Sequence, residues 1–326
     1  MTAYIIRRLL WMIPILLGVS IICFTLLKQA PGDPVAVLVA DARATGGTVT
    51  VEDRQRLREQ YGLNRPIYLQ YTDWLGQVLQ GNFGVSTRTN APVADVVLSR
   101  LPNTLRLMVG ALILTLVIAL PLGILSAVKQ YSRLDYFLTT FNFVGISIPQ
   151  FWLALMLLYF FGVTLGWFPT RGMGSPYSEP GVWNSVTEVF RHYTLPVLSV
   201  TLVSLAGYMR YQRAAMLEVI RQDYMRTARA KGLSEAVVIL KHGWRNALIP
   251  ILTLLGYVLV ILIEGSIVVE VIYSWPGMGD LAVTSLAQRD YPVVMAIVLL
   301  SAVGILIGTL ISDILYAIVD PRVRYD

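Results

Sequence analysis

Residues Thr104–Val128 read TLRLMVGALILTLVIALPLGILSAV, and this stretch decides the fold. A helix needs about 20 apolar residues to cross roughly 30 Å of bilayer hydrocarbon, and this run exceeds that. Runs of the same kind recur at about 9–28, 136–163, 194–218, 247–272 and 292–318. The pattern predicts an all-α integral membrane protein with six transmembrane helices. Pro14, Pro121, Pro149, Pro196 and Pro250 lie within these runs or at their starts, which membrane helices tolerate because neighbours satisfy the freed backbone groups. The alternation that marks an outer-membrane β-barrel is absent from the sequence.

Composition agrees. Of 326 residues, 56% are hydrophobic and 14% charged, and the mean hydropathy is +0.63; a soluble domain carries about 25% charged residues. The net charge of +6 falls mostly in short loops between the apolar runs. It therefore speaks to topology and not to a nucleic-acid partner. The single cysteine, Cys23, excludes an intrachain disulfide and a cysteine-based metal centre. The first run continues from Arg7 and Arg8 to about Leu27 with no small-residue cleavage site, so it reads as a retained anchor.

Lys and Arg set the orientation. Arg7 and Arg8 precede the first run, Lys129 and Arg133 follow the second, and Arg322 and Arg324 end the chain. The segment 219–246 holds Arg221, Arg226, Arg229, Lys231, Lys241 and Arg245. Segments 164–193 and 273–291 are poorer in cations, so both termini and 219–246 are expected on the cytoplasmic side. The first loop, 29–103, is too long for a connector. It carries a candidate amphipathic helix at about 50–61, with Thr50 as N-cap, followed by Tyr68, Tyr71, Trp74 and Phe83. It reads either as a lid on the outer face or as a docking surface.

Within 219–246, the residues from Asp223 to Lys231 favour a helix that Gly232 stops, and Ser234 can cap a second helix at about 235–245. Two helices broken by a glycine make a projecting knob suited to contact with a cytoplasmic protein. A solvated loop lying on anionic lipid is the competing reading of the charge alone.

The order of residues here resembles the permease subunits of ATP-binding-cassette importers, specifically the first permease of dipeptide and oligopeptide systems. The family's Glu-Ala-Ala, three residues, Gly motif falls on Arg226-Thr227-Ala228 and Gly232, with the Glu and first Ala missing, as is usual in the peptide branch. The resemblance runs nearly the whole chain: Arg7-Arg8-Leu9, Pro31-Gly32-Asp33-Pro34, Tyr61-Gly62-Leu63-Asn64-Arg65-Pro66, Gly81-Asn82-Phe83-Gly84-Val85-Ser86, Arg100-Leu101-Pro102-Asn103-Thr104, Ser274-Trp275-Pro276-Gly277-Met278-Gly279, Arg289-Asp290-Tyr291-Pro292 and Asp320-Pro321-Arg322.

The resemblance implies a type I importer permease architecture in a prokaryotic inner membrane, with residues 1–326 as one transmembrane domain and 219–246 as its coupling region. Ala228, Gly232, Leu233 and Glu235 would contact a cytoplasmic ATPase, with Arg226, Arg229 and Lys231 supplying charge complementarity. The implied partners are a second, related permease, two ATPase subunits or domains that bind ATP and Mg, and an external substrate-binding protein. The implied cargo is di- or oligopeptides; relatives of this kind also take nickel chelates, glutathione or oligosaccharides.

The sequence contains no G-x-x-x-x-G-K-[ST] loop, H-E-x-x-H or G-x-S-x-G, so the chain is expected not to be an enzyme and to have no cofactor of its own. His192 and His242 are placed on opposite membrane faces, too far apart to share a metal. Asn142, Ser147 and Glu264 are ionisable or polar groups within apolar runs, read either as pathway residues or as interhelical and interfacial polar groups. Glu270 is a weaker candidate nearer the interface. Gly304 and Gly308 form a G-x-x-x-G pair, and Trp275-Pro276-Gly277 reads as a hairpin or as part of a receptor surface. A secondary transporter or channel is the rival class, and it calls for internal repeats that the sequence does not show.

Overall fold

The computed structural model describes residues 2–29, 50, 55–56, 64–174, 182–248, 250–251, 262 and 265–319. In chain order the helices are α1 (Thr2–Gln29), α2 (Ile67–Leu79), α3 (Val93–Val128), α4 (Arg133–Ser147) and α5 (Gln150–Leu157), which runs on as a π-helical stretch, Leu158–Thr164. Then come α6 (Val182–Ile220), α7 (Asp223–Ala230) and α8 (Glu235–Val237), the last continued by π-helical Val238–Trp244 and by Arg245–Ala247. The series ends with α9 (Ile267–Ile272), α10 (Met278–Ala287) and α11 (Tyr291–Val319). Among the described residues the one β pairing is an isolated bridge between Val85 and Pro92.

Among the described residues, four helical stretches are long and apolar enough to cross a membrane: Tyr4–Leu26, Val93–Val128, Thr187–Ile220 and Tyr291–Ile314. The 36 residues of α3 extend about 54 Å at 1.5 Å per residue. Its first turns, Val93–Asn103, therefore project beyond the apolar run that begins at Thr104.

The third run, expected as one span over 136–163, departs from that expectation. It breaks between α4 and α5, and Arg133–Ser147 and Gln150–Thr164 meet at 102°. Pro149 is the cause. It has no N–H to continue the ladder, and its ring pushes the preceding residue out of the helical region. Ile148 accordingly sits at φ −80°, ψ 123° and Pro149 at φ −61°, ψ 133°. The pair forms a fifth span if its two arms are counted together. Most of the fifth run, including 252–261 and Glu264, lies outside the described residues, as does most of the helix expected at 50–61.

The chain forms two compact units: residues 1–5, 100–281 and 304–326, and residues 6–99 and 282–303. In the first, Leu107, Met108 and Ala111 of α3 pack with Ala154 of α5, Leu195 and Val200 of α6, and Val269, Tyr273 and Trp275. The Tyr273 hydroxyl is satisfied within this core, donating to the Ala154 carbonyl at 3.0 Å and lying 2.9 Å from Ser199 Oγ. Ala119, Leu138, Leu205 and Met209 continue the core between α3, α4 and α6.

Beside it, the buried Asp135 receives both prongs of Arg213, Nε to Oδ1 and Nη2 to Oδ2, each at 2.9 Å. Ser126 Oγ, the Tyr131 N–H at 3.0 Å and Thr139 Oγ1 at 3.4 Å also donate to it. The Asp135–Arg213 pair ties the first turn of α4 to α6. Arg213→Ala strands a buried carboxylate, so a thermal unfolding assay on the purified transporter should show a loss of about 2–3 kcal/mol; Arg213→Lys, which cannot bond in fork geometry, should recover only part.

In the second unit, Cys23, Met295 and Leu299 are buried together, with Val19, Trp74, Val78 and Phe83 packed against them. Here the Asp290 carboxylate accepts from Ser86 Oγ at 2.5 Å and from the Thr87 N–H at 3.2 Å. It thus clips the small hairpin around Ser86–Pro92 to the start of α11. Two of the quoted motifs, Gly81–Ser86 and Arg289–Pro292, meet in this clip.

Candidate functional site: a glycine-broken knob and a buried carboxylate latch

The knob following α6 is built from α7 and α8. Gly232 turns the chain at φ +75°, a conformation that costs other L-residues about 1–2 kcal/mol, and its N–H donates to the Arg229 carbonyl at 2.9 Å. A Cβ there would meet nothing within 4 Å, so the requirement for glycine is conformational and not steric. Ser234 occupies the N-cap position of α8, but its side chain makes no capping bond. An ion pair spans the turn: Arg229 Nη2 lies 2.9 Å from Glu235 Oε1, and Nε lies 3.1 Å from Oε2.

Under this turn Met225, Ala228 and Val238 form a buried cluster with Val219 of α6. Gly243 lets α8 approach closely: a Cβ there would stand 3.2 Å from the Met225 Cε and 3.4 Å from the Met216 Cε. Met216, Ala215 and Ala247 pack with Ile124 and Ala127 of α3. The knob is therefore seated on the ends of α3 and α6, so a push on it reaches both.

Of the residues singled out from the sequence, Arg226, Arg229, Lys231, Gly232, Leu233 and Glu235 are all exposed on the knob. Ala228 is buried beneath them, supporting the turn from inside. Leu233 is 41% exposed, and Val237 and Leu240 add further apolar surface. An exposed apolar ridge rimmed by cations is the composition of a protein contact more than of a solvated loop.

The hydrogen bond from Arg229 holds the Glu235 carboxyl below the ordinary carboxylate range. A lowered acid stabilises the fold above its unfolded-state range and loses that contribution as pH falls through the lowered value. The difference in unfolding temperature between the wild type and Glu235→Gln should therefore persist at neutral pH and vanish on strong acidification.

A second constellation centres on Glu270, which the sequence reading ranks low. It is fully buried. Its Oε1 accepts from Thr104 Oγ1 at 2.9 Å, and its Oε2 accepts from the N–H groups of Gly279 at 2.7 Å and Asp280 at 3.1 Å. Thr104 Oγ1 in turn accepts from the Met278 N–H at 2.7 Å. The free N–H groups at the start of α10 are thus satisfied by a carboxylate, the charge a helix N-terminus favours. Asn103 Nδ2 donates to the Pro276 carbonyl at 2.9 Å, and Trp275 Nε1 donates to the Asn103 carbonyl at 3.0 Å.

The Ser274–Gly279 motif is accounted for by this latch. At Gly277 a Cβ would overlap the Glu270 carboxylate and Thr104, and at Gly279 it would stand 2.7 Å from the Ile267 Cα. No local signal in the sequence joins Glu270 to the two motifs it links, Arg100–Thr104 and Ser274–Gly279, since several other acids also lie between them.

The remaining candidates scatter. Asn142 is buried between α4 and its neighbours, with its Oδ1 unpaired among the described atoms. Ser147 is exposed at the α4–α5 bend and donates to the Phe143 carbonyl at 2.8 Å. His192 is buried, with its Nδ1 3.0 Å from the Gly172 carbonyl. Glu264 lies outside the described residues. The structure brings together neither Asn142 and Ser147 nor the two histidines.

Comparison with known proteins places the chain in a family. Residues 119–325 match the family described as binding-protein-dependent transport system inner membrane component, and residues 1–108 match the N-terminal part of such membrane components. The oligopeptide transport system permease protein AppB of Bacillus subtilis is 48% identical over 326 residues, covering 100% of both chains. The glutathione transport system permease protein GsiC of Escherichia coli is 39% identical over 325 residues, again covering 100% of each.

Proposed function

From the premise that this chain belongs to the family of inner membrane components of binding-protein-dependent transport systems, and so is the membrane component of an ATP-driven importer, we propose that its knob at 223–247 is the lever on which a separate cytoplasmic ATPase acts. The observation that carries this reading is the seating of the knob: an exposed ridge around Leu233 stands on a buried cluster continuous with α3 and α6. When ATP and Mg close the ATPase dimer, the knob moves, and α3 and α6 move with it.

Six spans with both termini in the cytoplasm complete the proposed topology, in the inner membrane of a prokaryotic cell. One chain supplies half of the pathway, so the working assembly adds a second, related permease, two ATPase subunits and an external binding protein. The two relatives named for oligopeptides and for glutathione favour short peptides as cargo. Asn142, Ser147 and Glu264 are the pathway residues to probe. The outer surface that receives the binding protein is assigned to the first loop and to the segment around α10.

Copurification tests the reading. The tagged chain, extracted in mild detergent, should bring down ATPase subunits, and in vesicles the assembly should hydrolyse ATP faster when loaded binding protein is added. Uptake driven by an ion gradient with no ATPase present would refute it in favour of a secondary transporter.

A further inference from the structure

The second compact unit contains an apolar groove. It is about 530 Å³ in volume and runs along α1 and the first part of α11, with Leu286 of α10 also in its wall. Val19, Leu26, Met295 and Val298 form its body, and its polar lining residues, Gln29 and Tyr291, lie at one end. On α1 the groove extends from Val19 to Gln29, about 15 Å at 1.5 Å per residue. That is half of the roughly 30 Å hydrocarbon thickness. On α11 it extends from Tyr291 to Val298, about 10 Å.

We propose that this groove is a specific site for one acyl chain of an anionic phospholipid, whose phosphate rests at the Gln29–Tyr291 end. Three observations select this occupant. The groove lies along two membrane-crossing stretches, Tyr4–Leu26 and Tyr291–Ile314, so what fills it comes from the bilayer. Its polarity is that of an amphiphile, polar at the membrane boundary and apolar toward the centre. Its length is that of one leaflet; a crossing helix from a partner would need a groove twice as long.

Charge selects the headgroup. Arg289 is exposed two residues before Tyr291, and Lys28, which bonds Gln70, adds a second cation beside Gln29. The acid in between, Asp290, is buried and turned toward Ser86 and Thr87, so it does not oppose an anion at the mouth. In the topology proposed above, the site belongs to the extracytoplasmic leaflet. Occupancy would brace α1 against α11 where Cys23 and Met295 meet.

The test uses the whole transporter, purified from membranes containing phosphatidylglycerol and phosphatidylethanolamine, washed in detergent and weighed intact by mass spectrometry. Wild type should retain phosphatidylglycerol. In Val298→Trp, which fills the groove, retention should fall about tenfold, the loss expected when about two methylene groups are excluded. Arg289→Gln should keep a lipid but lose the preference for phosphatidylglycerol over phosphatidylethanolamine. This second variant leaves the groove intact and so guards against a folding defect in the first. Equal retention in all three proteins would mean surrounding lipid only and would overturn the proposal. So would efficient cross-linking of Val298→Cys to a second permease in native membranes, which would put a protein in the groove.

Discussion

Gly232→Pro should abolish uptake and uncouple ATPase activity while leaving the protein inserted in the membrane. Proline fixes φ near −65°, whereas the chain turns here at φ +75°. It also removes the N–H that bonds the Arg229 carbonyl. The α7–α8 turn must then open, which separates Arg229 from Glu235 and lifts Leu233 from its position. At a cost of about 3 kcal/mol, coupling should fall about 100-fold or more. A graded series distinguishes turn geometry from bulk. The space around Gly232 is open, so Gly232→Asn, which tolerates the left-handed region, should stay close to wild type. Gly232→Ala should lose about 1–2 kcal/mol of turn stability and show intermediate uptake. If Asn and Pro proved equally damaging, size at a contact surface and not backbone conformation would be what the position requires.

The second large effect concerns Glu270. Glu270→Ala leaves Thr104 Oγ1 and the N–H groups of Gly279 and Asp280 buried with no acceptor, and each such loss costs about 1–3 kcal/mol. A stability loss of at least about 3 kcal/mol should follow, measured by thermal unfolding of the detergent-solubilised transporter. Glu270→Gln keeps one acceptor oxygen but turns an amide NH2 toward donors, so it should fall between Ala and wild type. Gly277→Ala is destabilising because its Cβ overlaps the Glu270 carboxylate. In a Glu270→Ala background only the overlap with Thr104 remains, and the penalty should shrink; this coupling is the signature of direct contact. Additive penalties would show that Gly277 is required for some other reason.

The contrast between these two sites shows what a sequence discloses. Gly232 is legible because the signal is local: helix formers up to Lys231, then a residue that tolerates φ > 0, then helix formers again. The apolar runs that became α1, α3, α6 and α11 are legible for the same reason, since hydrocarbon thickness is read directly as run length. The latch is not legible, because Thr104 and Glu270 are distant in the chain and no periodicity links them. Glycine at 277 and 279 suggests only a tight turn until the carboxylate they make room for is seen.

Pro149 is a different failure. Membrane helices accept proline with kinks of many sizes, so the residue alone does not foretell a bend of 102°. Ser234 shows the reverse error. It has the chemistry of an N-cap and stands in the right place, yet its side chain makes no capping bond, and the Arg229–Glu235 pair spans the turn.

The lever at 223–247 is most directly tested by position-specific cross-linking. With Leu233→Cys in this chain and single cysteines introduced along the facing surface of the ATPase, oxidation in native membranes should give one strong disulfide-linked product, with a yield that changes when ATP is added. Absence of any such product, while an equally exposed cysteine elsewhere on the same membrane face captures the ATPase, would contradict the account.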